Sequence, residues 1–162
     1  MTQEYGAKLF INDRVDVAIS VNADGVHLGH QSMPLEAVKK LVPKNMLIGV
    51  STHNLREAMA AQKGCADFIT FGPIFATLSK AEYGAPAGIE ALREVVRELD
   101  IPVFGLGGIT SRTLRPALGT GAAGVAMISE IFCADDVQAS ARKVVDAIGL
   151  IDKFICSCCR AR

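Results

Sequence analysis

Short apolar runs alternate with amphipathic segments along almost the whole chain. Each run is bounded by turn residues and is too short for a buried helix, so it is predicted to be a buried β-strand. Each is followed by a segment with apolar residues at helical spacing. Strand and helix therefore alternate six times, which predicts an α/β fold with a parallel sheet covered by helices. The predicted strands span residues 8–12, 25–29, 46–51, 68–72, 101–106 and 124–129.

The helical pattern follows each of these strands. Pro34 suits the first turn of the second helix, and Gly64 suits the end of the third. Residues 1–150 contain no linker or low-complexity segment and are predicted to form one domain, whereas the cysteine-rich tail, 151–162, is predicted to be disordered. The predicted helices span residues 15–21, 35–42, 55–62, 89–99, 112–121 and 135–148.

The stretch from Ile101 to Ser129 gives the first indication of chemistry. Gly107 and Gly108 follow a predicted strand and precede a helix, so their backbone N–H groups could approach an anion closely. Taken alone, the glycine pair is explained better by a tight turn between strand and helix. The next predicted strand ends at Ser129, and adjacent strand ends in (β/α) barrels often share one phosphate. Together these features favour a phosphate site.

Polar residues cluster at the carboxyl ends of the predicted strands. In parallel α/β folds that edge of the sheet is where ligands bind. Polar residues are common at both ends of strands. This general tendency would not explain why they are enriched here at the carboxyl ends. The residues concerned are Asn12, Asp13, His27, the segment 51–53, the segment 77–80, Gly107, Gly108 and Ser129.

Composition excludes several classes of partner. The 162 residues contain 17 Lys and Arg and 17 Asp and Glu, so the formal net charge is zero and gives no general attraction to nucleic acid or an anionic membrane. No apolar run approaches the ~20 residues of a membrane helix, and the start lacks the pattern of a signal peptide. We therefore expect a cytoplasmic protein whose five cysteines are free thiols.

Six segments together resemble the thiamine phosphate synthase family, which includes a thiazole tautomerase branch. They are LFINDRVDVA, ADGVHLG, IGVSTH, FGPIFATLSK, GLGGIT and GAAGVAMIS, in the family's order and spacing. The resemblance implies a TIM-type (β/α)8 barrel and a transferase of thiamine biosynthesis. That enzyme joins an aminopyrimidine diphosphate to a thiazole phosphate. Pyrophosphate leaves first, and the thiazole nitrogen captures the resulting cation, with Mg²⁺ and cationic side chains stabilising the departing charge.

The resemblance also assigns roles to individual residues. It implies that Asp13 binds Mg²⁺ and that Lys80 and His53 take part in catalysis. The implied substrate-binding residues are Asn12 and Ser51 for the diphosphate, Thr77, Ser79 and Lys80 in the loop after the fourth strand, and Gly108, Ile128 and Ser129 for the thiazole phosphate.

The chain departs from the family pattern in two places. Its first βα unit resembles the family's third, so we expect an incomplete barrel of about six units that lacks the first two and the cationic Gln-x-Arg-x-Lys run of the second strand. Ser32 stands where the family has a second carboxylate for Mg²⁺. Both differences predict weak diphosphate binding. The open sheet edges would suit pairing with a second copy of the chain.

Simpler interpretations and other functions remain open from the sequence. Asp13 could cap the short helix that follows it, Lys80 could be a solvated loop residue, and His27 suits a hydrogen-bonded core position. A thiazole tautomerase that uses His53 as acid and base is one alternative function, because histidine titrates in the useful range. A non-catalytic protein that binds phosphate through Gly108 and Ser129 is another.

Overall fold

The computed structural model describes residues 2–77 and 85–155. Its six strands form one sheet in the order β1-β2-β3-β4-β5-β6, and every neighbouring pair is parallel. This confirms the predicted α/β class with a parallel sheet. The strands are β1 (Phe10–Asn12), β2 (Gly25–Leu28), β3 (Leu47–Thr52), β4 (Phe68–Phe71), β5 (Val103–Leu106) and β6 (Gly124–Ala126).

Helices connect each strand to the next, as parallel pairing requires. Asn54 begins α3 by accepting a hydrogen bond from the backbone N–H of Glu57, and Gly64 ends that helix, as its sequence predicts. The helices are α1 (Val15–Ser20), α2 (Leu35–Leu41), α3 (Leu55–Lys63), α4 (Gly88–Glu98), α5 (Leu114–Leu118), α6 (Ser129–Phe132) and α7 (Val137–Ile155).

Three differences from the predicted boundaries bear on the site and on the tail. β6 ends at Ala126, and Ser129 begins the short helix α6 instead of ending the strand. α5 begins at Leu114, after the polar turn at residues 110–113. α7 continues to Ile155, so the first five residues of the tail predicted to be disordered are helical, and residues 156–162 lie outside the described chain.

The helices cover one face of the sheet with an apolar core. Under α3, α4 and α5 this core consists of Ala58, Ala61, Ala66, Ile69, Phe71, Ile74, Leu92, Val95, Leu99, Val103, Ile109, Leu114 and Ala117. A second cluster under α1 and α2 consists of Val15, Ala18, Ala23, Val26, Leu28, Val38, Met46 and Ile48. Burial of this surface is the main favourable term in folding.

The opposite face of the sheet carries an aromatic layer. Phe68 on β4 packs edge-to-face against Phe10 on β1 and Phe104 on β5, with ring centroids 5.2 and 5.5 Å apart. Gly49 on β3 leaves space for the ring of Phe68, because a Cβ at this position would lie 2.2 Å from the ring. The two faces are therefore filled by different means, helices on one side and strand side chains on the other.

No helix in the described part of the chain is both long and apolar enough to cross a membrane.

Leu92 tests the core under α4. Its side chain is fully buried and packs close to Gly105 of β5, so truncation should leave a cavity. We expect Leu92→Ala to lower the free energy of unfolding by about 2–5 kcal/mol in urea denaturation. The control is Leu41→Ala, at a helix position that is 56% exposed, which should cost less than about 1 kcal/mol. Equal effects of the two substitutions would contradict this packing.

Candidate active site

Two cavities lie at the carboxyl edge of the parallel sheet, each with a volume of about 280 Å³. The glycine pocket lies beyond β5 and β6, and the aspartate pocket lies beyond β1, β2 and β3. The glycine pocket is lined by Pro73, Thr77, Leu106, Gly107, Gly108, Ile109, Thr110, Ala126, Met127, Ile128, Ser129 and Glu130. The aspartate pocket is lined by Asn12, Asp13, Gly29, His30, Gln31, Ser32, Ser51 and His53.

The paired glycines shape the glycine pocket through their backbone. Gly107 and Gly108 have φ angles of +94° and +63°, which side-chain-bearing residues rarely adopt. They also pass close to the segment after β4, since a Cβ on Gly108 would lie 2.7 Å from both the Ala76 carbonyl oxygen and the Phe75 Cβ. The Phe75 N–H donates to the Gly107 carbonyl at 3.1 Å. Only glycine fits this approach without a local shift.

Hydroxyl groups fix the rest of the loop after β5. The Thr110 N–H donates to Thr113 Oγ1 at 2.8 Å, and that hydroxyl donates to the Gly108 carbonyl at 3.2 Å. Across the pocket, Glu130 of α6 accepts the Ser111 N–H at 2.9 Å. The pocket walls are therefore held in place by specific hydrogen bonds, as a preformed ligand site requires.

Asp13 occupies an unusual backbone conformation in the aspartate pocket. Its φ is +66°, and its N–H donates to the His27 carbonyl at 2.9 Å, which ties the end of β1 to β2. Aspartate tolerates the left-handed region better than most residues, but the conformation is still uncommon outside glycine. The fold therefore holds this carboxylate at the sheet edge through a constrained turn. Strained positions of this kind are often found at functional sites.

Ser32 stabilises the turn that follows β2. Its hydroxyl oxygen accepts the Gly29 N–H at 2.7 Å, and its own N–H donates to the Gly29 carbonyl at 3.2 Å. Ser32 and Asp13 both line the aspartate pocket. It contributes a neutral oxygen where a carboxylate would add charge.

A polar cluster lies beneath the aspartate pocket on the face that carries the aromatic layer. His27 Nε2 lies 2.9 Å from Ser51 Oγ and 3.3 Å from Thr70 Oγ1, which joins β2, β3 and β4. Burial lowers the pKa of His27, so its ring is held neutral near physiological pH. His27 is thus a hydrogen-bonded interior residue, as expected, and it orients the hydroxyl of Ser51.

His53 is held at the pocket by Glu57. The carboxylate of Glu57 accepts the His53 backbone N–H at 2.8 Å and lies 3.1 Å from His53 Nδ1. Because a carboxylate only accepts, Nδ1 is the donor in this contact. Burial would raise the pKa of Glu57, but the hydrogen bonds from His53 and from the amide of Asn54 outweigh it and lower that pKa.

The structure brings the described candidate residues into these two pockets. Asn12, Asp13, Ser51 and His53 line the aspartate pocket. Thr77, Gly108, Ile128 and Ser129 line the glycine pocket. Ser79 and Lys80 lie outside the described residues, so their predicted roles stay predictions.

Sequence reasoning missed two acidic residues, Glu57 and Glu130. The pattern Asn54-x-x-Glu57 is a helix-capping signal that could have revealed the first. The second is hidden because the apolar pattern places Ser129 in a strand, whereas Ser129 begins α6 and Glu130 lies in its first turn.

A metal site made of protein ligands alone is absent from the described residues, which contain no group of three or more His, Cys, Asp or Glu placed to hold an ion. Asp13 is the carboxylate that lines the aspartate pocket. Any divalent ion there would depend on ligand oxygens and water for the rest of its coordination.

Comparison with known proteins identifies the family. The sequence profile described as thiamine monophosphate synthase matches residues 1–131. A protein of Geobacter sulfurreducens that carries a provisional thiamine-phosphate synthase name is 49% identical over 90% of this chain and 68% of its own length. The thiamine-phosphate synthase of Chloroflexus aurantiacus is 43% identical over 89% of this chain and 66% of its own length.

A solved structure gives the same result. The thiamine phosphate pyrophosphorylase from Pyrococcus furiosus superimposes with a TM-score of 0.86 and 39% sequence identity, covering 93% of this chain and 71% of that one. The present chain thus spans about two thirds of the length of these relatives. Profile, relatives and fold agree, and the chain belongs to the thiamine monophosphate synthase family.

Proposed function

We propose that this chain is a thiamine-phosphate synthase, a transferase that joins an aminopyrimidine diphosphate to a thiazole phosphate and releases pyrophosphate. The observation that carries the proposal is the pair of pockets at one sheet edge, each lined by the residues that the family resemblance assigns to one substrate. A reaction between two phosphorylated substrates needs two anion sites on the same side of the sheet, close enough for the substrates to meet.

The glycine pocket is suited to the thiazole phosphate. Gly107 and Gly108 expose backbone in a conformation that brings N–H groups close to a ligand, and Ser129 lines the same cavity. Backbone donors bind phosphate without a lysine or arginine, and the described residues that line this pocket include neither. Thr77 also lines the pocket, from the segment after β4 that Gly108 touches.

The aspartate pocket is suited to the diphosphate with Mg²⁺. The residues fit such an ion, because Mg²⁺ is commonly held by one or two carboxylates together with phosphate oxygens and water. Asp13 would hold it, with Asn12 and Ser32 as neutral oxygen donors nearby. When bound, the ion would offset the negative charge that develops on the leaving diphosphate.

The residues of the chain position the two reactants. In the proposed reaction the bond between the pyrimidine methylene carbon and the diphosphate oxygen breaks, and both electrons leave with pyrophosphate. The thiazole nitrogen then donates its lone pair to the carbon and forms the new bond. Ser51, oriented by His27, and His53, oriented by Glu57, direct polar groups toward the departing diphosphate. Lys80 would supply a cation, as the family resemblance implies.

The alternative functions have less support. The relatives from Geobacter sulfurreducens and Chloroflexus aurantiacus, at 49% and 43% identity, carry the synthase name, and they favour neither a tautomerase nor a non-catalytic phosphate-binding protein. The contact between His53 and Glu57 is compatible with proton transfer, but it also forms part of the capping arrangement of α3. It therefore does not favour the tautomerase over the synthase.

Gly108 tests the thiazole phosphate site. Calorimetric titration of the whole chain with thiazole phosphate should show binding, and Gly108→Ala should weaken it by about tenfold or more, a loss of ~1.4 kcal/mol. The reason is the added Cβ, which would force the loop away from Ala76 and Phe75.

The matched control is Gly6→Ala. Gly6 has nearly the same φ, +65°, but nothing within 4 Å of an added Cβ, so it measures the backbone strain without the clash. Binding that is unchanged in Gly108→Ala, or lowered equally in both variants, would contradict the assignment of the glycine pocket.

Asp13 tests the metal assignment. Asn also tolerates the left-handed backbone, so Asp13→Asn removes the charge and keeps the turn. We expect the rate of pyrophosphate release at subsaturating Mg²⁺ to fall by about 100-fold, equivalent to ~2.7 kcal/mol of lost charge stabilisation. Asp16→Asn is the control, because Asp16 is exposed, pairs with Arg14 and is not among the lining residues of the aspartate pocket. An unchanged Mg²⁺ dependence in Asp13→Asn would exclude Asp13 as the metal ligand.

A further inference from the structure

Glu130 connects the two loops that form the glycine pocket. It lies in the first turn of α6, and its Oε1 accepts the backbone N–H of Ser111, 19 residues away, at 2.9 Å. Strand pairing between β5 and β6 ends at Leu106 and Ala126, so this bond joins the two segments beyond the sheet ladder. Glu130 is half-buried and is one of the residues that line the pocket.

The two loops have other anchors, but those anchors hold each loop separately. The loop after β5 is fastened to the segment after β4 through the Phe75 N–H and the Gly107 carbonyl, and internally through Thr113. The start of α6 is fastened to α7, because the Ser140 hydroxyl donates to the Glu130 carbonyl at 2.7 Å. One segment is thus fixed to the segment after β4 and the other to α7. The carboxylate of Glu130 joins the two segments to each other.

The charge of Glu130 makes its position informative. A carboxylate in the wall of a phosphate pocket repels the ligand, so its charge alone would weaken binding. Its hydrogen bond acts in the opposite direction if it holds the Gly108 backbone and Ser129 at the separation that one phosphate can bridge. The length of the Glu130 side chain is thus expected to favour phosphate binding and its charge to oppose it. Substitutions that change only one of the two can distinguish these effects.

We propose that Glu130 is a positioning residue that holds the loop after β5 against the start of α6, so that Gly108 and Ser129 form a single phosphate site. The inference rests on the proposed function for the identity of the phosphorylated substrate. The geometry is independent of the proposed function, because any phosphate bound by both segments would need the same separation between Gly108 and Ser129.

Three substitutions of Glu130 distinguish reach from charge. Glu130→Gln keeps an oxygen at the same reach and removes the charge, Glu130→Asp keeps the charge and shortens the reach, and Glu130→Ala removes both. Two measurements on the full chain are made without turnover. They are hydrogen exchange of the Ser111 amide and calorimetric binding of inorganic phosphate.

We expect exchange of the Ser111 amide to quicken about tenfold in Glu130→Ala and Glu130→Asp and to stay unchanged in Glu130→Gln, since a lost hydrogen bond of ~1–1.5 kcal/mol corresponds to that factor. Phosphate affinity should fall most in Glu130→Asp, fall less in Glu130→Ala and equal or exceed that of the original chain in Glu130→Gln. With thiazole phosphate as substrate, KM should rise in Glu130→Ala while kcat is retained.

Glu90→Ala is the control, because Glu90 is exposed on α4 and pairs only locally with Arg93 among the described residues. It should leave amide exchange and phosphate binding unchanged. Equal phosphate affinity in the three Glu130 variants and the original chain would overturn the proposal, and so would weakened binding in Glu130→Gln. A chain that releases no pyrophosphate would contradict the proposed function while leaving exchange and phosphate binding to decide the role of Glu130.

Discussion

Parallel pairing of consecutive strands is the constraint on which the rest of the structure depends. Each strand must be followed by a crossover before the next can pair, so all six strands point the same way and their carboxyl ends meet at one edge. Residues far apart in sequence, from Asp13 to Ser129, are thereby placed along a single rim. The helices fill the face that the crossovers cover, and the aromatic layer fills part of the other. The two pockets are a consequence of this topology.

The alternation of strands and helices, and the polar residues at the strand ends, could be predicted because both depend on local patterns. Strands of a parallel sheet are buried on both faces, so they are seen in the sequence as continuous apolar runs. Polar residues at the ends of these runs indicate the rim. Ser129 was misplaced because its apolar neighbours, Met127 and Ile128, extend the strand pattern past the last residue that pairs. Glu130 was missed for a related reason. Its role depends on a contact with Ser111, and long-range contacts of this kind leave no periodic signal in one sequence.

The electrostatics of the site differ from those of a simple cationic phosphate trap. Neither pocket is lined by a lysine or arginine among the described residues, and the chain has no net charge. We propose that anion binding comes instead from backbone N–H groups, hydroxyls, a Mg²⁺ ion held by Asp13 and the cation of Lys80. Ser32 adds a neutral oxygen to the aspartate pocket, so among its described lining residues the negative charge comes from Asp13. Each interaction is local, so the geometry of the loops matters more than the overall field.

The most direct measurement is pyrophosphate release by the whole chain when the aminopyrimidine diphosphate, the thiazole phosphate and Mg²⁺ are supplied together. We expect release that requires all three components and is accompanied by formation of thiamine phosphate. Binding of thiazole phosphate without any pyrophosphate release, at saturating concentrations of all components, would contradict the claim that this chain is a synthase.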